Sequence, residues 1–471
     1  MEPVEKRSKL DMSDVTRKKL DAVLQPITLS DDAVRNIIDI FSKHMELANN
    51  PDENTRKKSD LLMGNSFIRD LLDGTEQGEF LGLDLGGTNF RVVRVSFKDG
   101  EADTTTQYYT LLESVLCGPV AGVFDFIAES IQDFVNRHGL AKSDEKIPLG
   151  FTFSFPSLQV SLNQSVILHW TKTLRCPDGI GDDPVALLEA AIARKAKDLP
   201  VKIVAVMSDT VSTLMAGNYL DKKCRIGLIL GTGCNAAFVE HISEIDKWTG
   251  DDKNPQHVIV NVELGSFGDS GCLDHHRTDY ERELDKFSNH PSSFTFEKSC
   301  AGMYLGEFVR LVLVKLIQEG VLFGGKGGKL VEERWKFTTS HVTAIESDQG
   351  LSTANTMEVL NKFDLDTVAT AEDIAVVREV AEVGSRRGAH WIAILMVALV
   401  NRVALPEVTI AIDGSLFERH PKYHNSMMEI LDKFCPSSKV KLILAKDGSG
   451  QGGAFGAVSA LRQAARGIRS A

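Results

Sequence analysis

Positive charge is scarce in this chain. Its 53 Lys and Arg face 65 Asp and Glu, a net charge of −12. That balance argues against nucleic acid or an anionic membrane as the main partner. It leaves room for a small anionic ligand, because glycine turns and helix starts bind phosphate inside acidic proteins. Cysteine is sparse too. The 7 residues are scattered at 117, 176, 224, 234, 272, 300 and 435, with no CxxC pair. The odd number and the spacing exclude a disulfide framework or a zinc ribbon and point to reduced thiols in a cytoplasmic protein. No stretch reaches the ~18 apolar residues of a membrane span. The N-terminal MEPVEKRSKLDMSDVTRKKLD lacks the apolar core of a signal peptide. Short repeats, low-complexity tracts and long linkers are missing as well.

What is present is 471 residues, 43% hydrophobic and 25% charged. That is ordinary globular composition, and too much chain for one core. Residues 1–15 read as a loose arm. Helical spacing runs from about Thr16 to Glu46 with a break at Pro26, and Ser30 is placed to cap the second helix. From GEFLGLDLGG onward the order is strand, glycine turn, strand, helix, strand, helix. From RIGLILGTGCN the same order begins again. The chain therefore reads as an α/β protein of two related halves, 16–219 and 220–466, with a cleft between them.

Four apolar strands end in glycine turns: DLGGTNFR (Asp84 to Arg91), LILGTGCN (Leu228 to Asn235), IDGS (Ile412 to Ser415) and KDGSGQGG (Lys446 to Gly453). Glycine lets backbone N–H groups approach a phosphate closely. Any one of these is equally a plain hairpin; four in such context favour phosphate. Gly320 to Lys326 spells GxxxxGK, but Gly327 follows instead of Ser or Thr, and a helix precedes it instead of a strand, so it reads as a basic surface loop. His275-His276, beside Asp274 and Cys272, reads as a polar loop and not a metal site. The strand VKIVAVM stops at Ser208-Asp209. From the residues alone, Asp209 is either a helix N-cap or a carboxylate base.

At these motifs the chain resembles the eukaryotic hexokinase family, within the actin-like ATPase superfamily. The likeness runs from about Thr16 to Arg466. It is carried by FLGLDLGGTNFRV, LGFTFSFP, WTK, SDTVSTLM, GLILGTGCNA, VNVELGSFGD, EKSCAGMYLGE, DGSLFERHP and DGSGQGGA. It accounts for one hexokinase unit. The resemblance implies a two-lobed actin-like (ribonuclease H-like) fold that uses ATP with Mg²⁺ to phosphorylate the 6-hydroxyl of a hexose, the first step of glycolysis. The hexose would be glucose, with mannose and fructose as alternatives. A single unit with no evident coiled coil suggests a monomer. The likeness makes Asp209 the general base, with Lys172 holding the reacting end. It places Ser154, Thr171, Lys172, Ser208, Asp209, Asn235, Glu263 and Glu297 around the sugar. It assigns Asp84, Gly86, Gly87, Thr88, Asn89, Arg91, Gly231, Thr232, Gly233 and Thr339 to the phosphates, and Gly414, Ser415 and Ser449 to the adenosine side. No side chain binds the metal directly; Asp84 and Asp209 reach it through water.

Several motif positions depart from the family pattern. Ser208 stands for asparagine, Ser212 for glycine, Thr173-Leu174 for Gly-Phe, Cys234 for threonine, Leu264 for tryptophan and Ala301 for serine. Ser340 and Gln451 each stand for a basic residue. Serine reaches less far than asparagine and offers a smaller set of bonds. A lost sugar contact of ~1–3 kcal/mol is roughly a tenfold to hundredfold loss in affinity or turnover. The expectation is an active hexose kinase with weakened or altered sugar recognition. The rival expectation is a sugar-binding regulator with poor catalysis. WTK, NVE and EKSCAGMY speak against a protein-remodelling ATPase.

Overall fold

The computed structural model describes residues 12–140 and 145–468. Two sheets organise it. The first has five strands in the order Glu101–Thr110, Asn89–Lys98, Gly78–Leu85, Ile147–Phe153, Val201–Met207. The second has six, in the order Gly64–Asn65, His257–Asn261, Cys234–His241, Cys224–Leu230, Glu407–Asp413, Lys439–Leu444. Leaving out the short Gly64–Asn65 strand, both sheets place their third, second, first, fourth and fifth strands side by side in that order. In both, the first three form an antiparallel meander and the last two run parallel to the first. The duplication read from the sequence is a duplication of topology.

After its fifth strand each half continues into a helix, Asp209–Leu220 in the first and Gly448–Ala465 in the second. These two helices lie against each other, and each covers the sheet of the opposite half. Helix–sheet contact this close excludes side chains. A Cβ on Gly150 would sit 1.9 Å from the Gly453 carbonyl oxygen, and one on Gly82 would sit 2.5 Å from that of Gly450. On the other side, a Cβ on Gly227 would meet the Thr210 carbonyl oxygen at 2.5 Å. The glycines of KDGSGQGG after Ser449 are therefore packing residues inside a helix, not donors in an open turn: a Cβ on Gly452 would lie 1.9 Å from the Ser212 carbonyl oxygen.

Apart from Gly64–Asn65, the sheets divide near residue 219, but the packing does not. Leu20, Ile37, Phe41 and Met63 belong to the core of the second sheet, while Ala454, Phe455 and Val458 share a core with Phe80 and Val95 of the first. The first helix starts at Asp14 with Ser13 as its cap, so the last residues of the loose arm expected over 1–15 are helix and cap; residues 1–11 lie outside those described. Ser30 does cap the second helix, accepting from the Ala33 N–H at 3.2 Å. The region AEDIAVVREV to NRVA forms a single helix, Ala371–Val403. It has the length and apolar content of a membrane span, but 83% of its most apolar window is buried inside the fold. The GxxxxGK segment forms a short turn with Phe323 buried, next to no strand.

Candidate active site

The strand Val201–Met207 ends at Ser208, and the residue that caps the next helix is Ser208 itself. Its hydroxyl accepts from the Val211 N–H at 3.4 Å, and Asp209 is the first helical residue. This corrects the capping alternative for Asp209. With the cap supplied by its neighbour, the Asp209 carboxylate is not committed to capping. It is half-buried near the side chains of Ser154, Lys172 and Asp84. Burial raises its pKa and Asp84 adds to the rise, while Lys172, the Thr210 N–H and the Ser154 hydroxyl oppose it.

Lys172 sits at a left-handed backbone position, φ 58°. Its ammonium donates to the Ser154 carbonyl at 2.8 Å and lies 5.5 Å from the centre of the Phe155 ring. Thr171 precedes it, half-buried. Trp170 anchors this loop, its indole N–H on the Asp178 carbonyl at 2.8 Å and its ring edge-on to Phe155. From the other sheet come Asn235, Glu263 and Glu297. The Asn235 amide donates to Glu263 at 3.0 Å. Glu297 accepts the Cys234 backbone N–H at 3.0 Å. Burial lifts both carboxyls; Asp209 pushes Glu263 further up, Glu263 does the same to Glu297, and Lys172 pulls both down. One ammonium thus serves three carboxyls drawn from both halves.

On the phosphate side, Gly86 to Thr88 form the turn between Gly78–Leu85 and Asn89–Lys98. A Cβ on Gly86 would meet nothing within 4 Å, and Gly87 has φ 150°, so this turn is open and depends on glycine. Asn89 is exposed and its amide oxygen accepts from Thr110 at 2.8 Å. Arg91 does not point into the open turn. Its guanidinium donates to Asp84 at 2.9 Å, to Asp447 at 2.5 Å and to the Ser449 hydroxyl at 2.5 Å. Ser449 in turn donates to Asp84 at 3.0 Å. Expected on the adenosine side, Ser449 is instead tied into the carboxylate cluster behind the phosphate turn. Asp413 belongs there too. Burial first, then Asp84 and Asp447, push its carboxyl up to about 6.

The second turn, Gly231 to Gly233, closes on itself through the Gly231 N–H and the Gly233 carbonyl at 3.0 Å. Thr232 at its tip is exposed, and its carbonyl receives the Met303 N–H at 3.0 Å. Gly414, φ 138°, abuts this turn: a Cβ there would lie 2.3 Å from the Leu230 carbonyl oxygen. Ser415 beside it is exposed at the start of the short helix Ser415–Arg419. Thr339 lies one layer further out, bonding the Gly302 carbonyl and accepting the Gly306 N–H at 3.2 Å; it supports the turn's neighbour rather than lining the turn.

The departures from the family pattern sort themselves by burial. Ser212, Leu264 and Ala301 are fully buried and Cys234 nearly so. Ser212 donates to Thr152 at 2.7 Å, whose own proton goes to the Ser449 carbonyl at 2.9 Å. The Cys234 and Cys300 sulfurs lie 3.4 Å apart. These residues form the wall behind the site. Ser208 and Thr173 are departures that stay at the site: a cavity of about 30 Å³ lies between Ser208, Asn65 and Asn261, and Thr173 is exposed between Lys172 and the Gly87 turn. Asn261, Thr210 and Asp413 went unrecognised in the sequence. Asn261 opens the NVE triplet two residues before Glu263, a spacing that could have flagged it. Cys272, read as part of a polar loop, donates to Asp60 at 3.5 Å with His44 alongside. Asp60 also accepts Gly268 N–H at 2.9 Å and Ser270 hydroxyl at 2.8 Å, so this trio staples a loop.

Comparison with known proteins follows this geometry. Two family profiles, both described as Hexokinase, match residues 19–219 and 225–459. Hexokinase-1 of Mus musculus is 37% identical over 459 residues, which cover 96% of this chain and 46% of that protein. Hexokinase-2 of Homo sapiens is 37% identical over 457 residues, 95% of this chain and 48% of that one. The chain spans about half the length of these relatives. The hexokinase of Schistosoma mansoni, solved in complex with glucose, superposes with a TM-score of 0.83 at 34% identity, covering 95% of this chain and 100% of that one. With both halves matched, the duplicated sheets in place and a solved relative covered end to end, the chain belongs to the hexokinase family.

Proposed function

We propose that this chain transfers the γ-phosphoryl group of MgATP to the 6-hydroxyl of a hexose, glucose first among the candidates. The observation that carries the proposal is the setting of Asp209. It is a carboxylate freed from capping, beside Lys172 and within the field of Glu263 from the opposite half. The glucose complex of the Schistosoma relative supports the choice of sugar. Asn235, Glu263 and Glu297 offer donors and acceptors for sugar hydroxyls. Asp209 takes the proton of the attacking hydroxyl as its oxygen bonds to the γ-phosphorus, and the bond to the bridging oxygen of ADP breaks. Lys172 offsets charge at the reacting end. The Gly86–Thr88 turn supplies N–H donors to the transferred group.

Mg²⁺ arrives with the nucleotide and neutralises its phosphates. The donor set fits it: Asp84 and Asp447 share the Arg91 guanidinium with Asp413 close by, three carboxylates that would hold a hydrated dication. We extend the proposal to a cytoplasmic monomer without nucleic-acid or membrane partner. The net charge and the free thiols, among them two sulfurs 3.4 Å apart and unlinked, support that setting. The test is ADP production with MgATP across titrations of glucose, mannose and fructose, with the product identified by its 6-phosphate. Saturable turnover is expected. Sugar binding without turnover would overturn the kinase assignment in favour of a regulator.

A further inference from the structure

Resting on the proposed sugar kinase, we infer that Asn261, through Thr210, is a positioning residue that fixes the sugar-side carboxylate relative to the catalytic helix. One continuous chain of hydrogen bonds joins the two. The Ser208 hydroxyl donates to Thr210 at 2.8 Å, and Thr210 donates to the Asn261 amide oxygen at 2.9 Å. That oxygen also accepts from Asn235 at 3.1 Å. The Asn261 nitrogen donates to Glu263 at 2.6 Å, on the same carboxylate oxygen that Asn235 reaches at 3.0 Å. Thr210 is fully buried and adjoins Asp209; Asn261 ends the strand His257–Asn261.

The amide is used in both directions. Its oxygen collects two protons, from the catalytic helix and from Asn235, while its nitrogen spends one on Glu263. Neither a carboxylate nor a hydrocarbon can do both. Glu263 itself stands at φ 57°, a conformation that a non-glycine residue keeps when its surroundings hold it. Ser208 is part of the same arrangement: its hydroxyl is engaged in the cap and in Thr210. In this chain the residue before Asp209 serves the link between the halves.

One variant of Asn261 and a pair at Thr210 test the inference, each read by steady-state kinetics with glucose and MgATP and by glucose binding in calorimetry. Asn261→Asp keeps the acceptor and removes the donor to Glu263. It should raise the glucose KM at least tenfold and move the acidic limb of kcat/KM to higher pH. The direction follows from the groups that face Glu263. The Asn261 and Asn235 amides and Lys172 lower its pKa, while burial and Asp209 raise it; Glu297 adds like charge. Losing one lowering contact and gaining an anion leaves Glu263 protonated over a wider range. Thr210→Val should cut kcat about tenfold, and Thr210→Ser should restore it, a split that lost stability alone would not produce. If Asn261→Asp does not fold, the Thr210 pair decides. An unchanged KM and pH profile in Asn261→Asp, or equal behaviour of Thr210→Val and Thr210→Ser, overturns the inference. If the unaltered protein binds glucose without turnover, the kinase proposal fails and the positioning role is read from binding alone, which Asn261→Asp must weaken. Absence of glucose binding in the unaltered protein overturns both.

Discussion

The helices Asp209–Leu220 and Gly448–Ala465 hold equivalent places in the two halves, yet their sequences meet the same demand to different degrees. Each must lie flat on the other half's sheet. In the first case one glycine stands on each side, Gly227 in the sheet and Gly217 in the helix, where a Cβ would lie 2.2 Å from that of Ala411. In the second the glycines multiply: Gly82 and Gly150 in the sheet face Gly450 and Gly453 in the helix, and Gly452 lies against Ser212 of the other helix. Their starts differ as well. Ser208 caps one and leaves Asp209 to the sugar. The other begins after Asp447 in a left-handed conformation, with Ser449 tied to Asp84 and Arg91. A glycine-rich motif at a helix start is thus two things at once, a charged-cluster anchor at Ser449 and a packing surface at Gly450, Gly452 and Gly453.

If packing is what these glycines serve, Gly150→Ala and Gly452→Ala should be the most damaging changes in the molecule. Each forces a methyl to 1.9 Å from a backbone oxygen. We expect a loss of about 3 kcal/mol or more, seen as a collapse of the thermal melt or as failure to fold. Gly86→Ala, in the open turn, should cost no more than about 1 kcal/mol and act on the KM for MgATP instead. Equal Tm values for the two classes would erase the distinction.

Asp413 sharpens the comparison at the second helix's start. Its carboxyl is raised to about 6 in the folded protein, so the folded state holds its proton through the range where the unfolded chain releases it. Its contribution to stability is full below the ordinary carboxylate pKa and falls as pH rises to about 6. Asn keeps an acceptor for the Ser449 N–H. Asp413→Asn should therefore raise Tm at pH 7 in the free protein, and the gain should vanish below pH 4, near the unfolded pKa of about 3.9. A gain independent of pH would contradict the assignment. The smallest effect on activity belongs to Ser212→Gly, which restores the family's residue. It loses the bond to Thr152 and adds a helical glycine, about 1–2 kcal/mol together. The sugar KM should not move, because Ser212 faces the Gly448–Ala465 helix and not the sugar.

That last point separates what was legible in the sequence from what was not. The strands, their glycine turns and the repeated order followed from apolar runs and punctuation, and the topology repeats accordingly. Motif letters identified Asp209, Lys172, Asn235, Glu263 and Glu297, and the structure gathers them on one site. It could not be read from the letters which face of a motif each residue takes. Ser212, Cys234, Leu264 and Ala301 fall on motif positions, so they suggested altered sugar recognition; burial puts them in the wall instead. The helices over 279–286, 339–347 and 423–434 were also passed over, short amphipathic segments among loop-like residues. Asn261 was missed because an amide acting between two other side chains has no spacing signature of its own.

The most direct measurement is turnover of Asp209→Asn beside the unaltered protein, with glucose binding measured on both. Asparagine keeps the shape and cannot take the proton. The account predicts that the variant still binds glucose while kcat falls by roughly 10²–10⁴-fold. Retained turnover in a variant that binds glucose would show that Asp209 is not the base and that the site is built around another group.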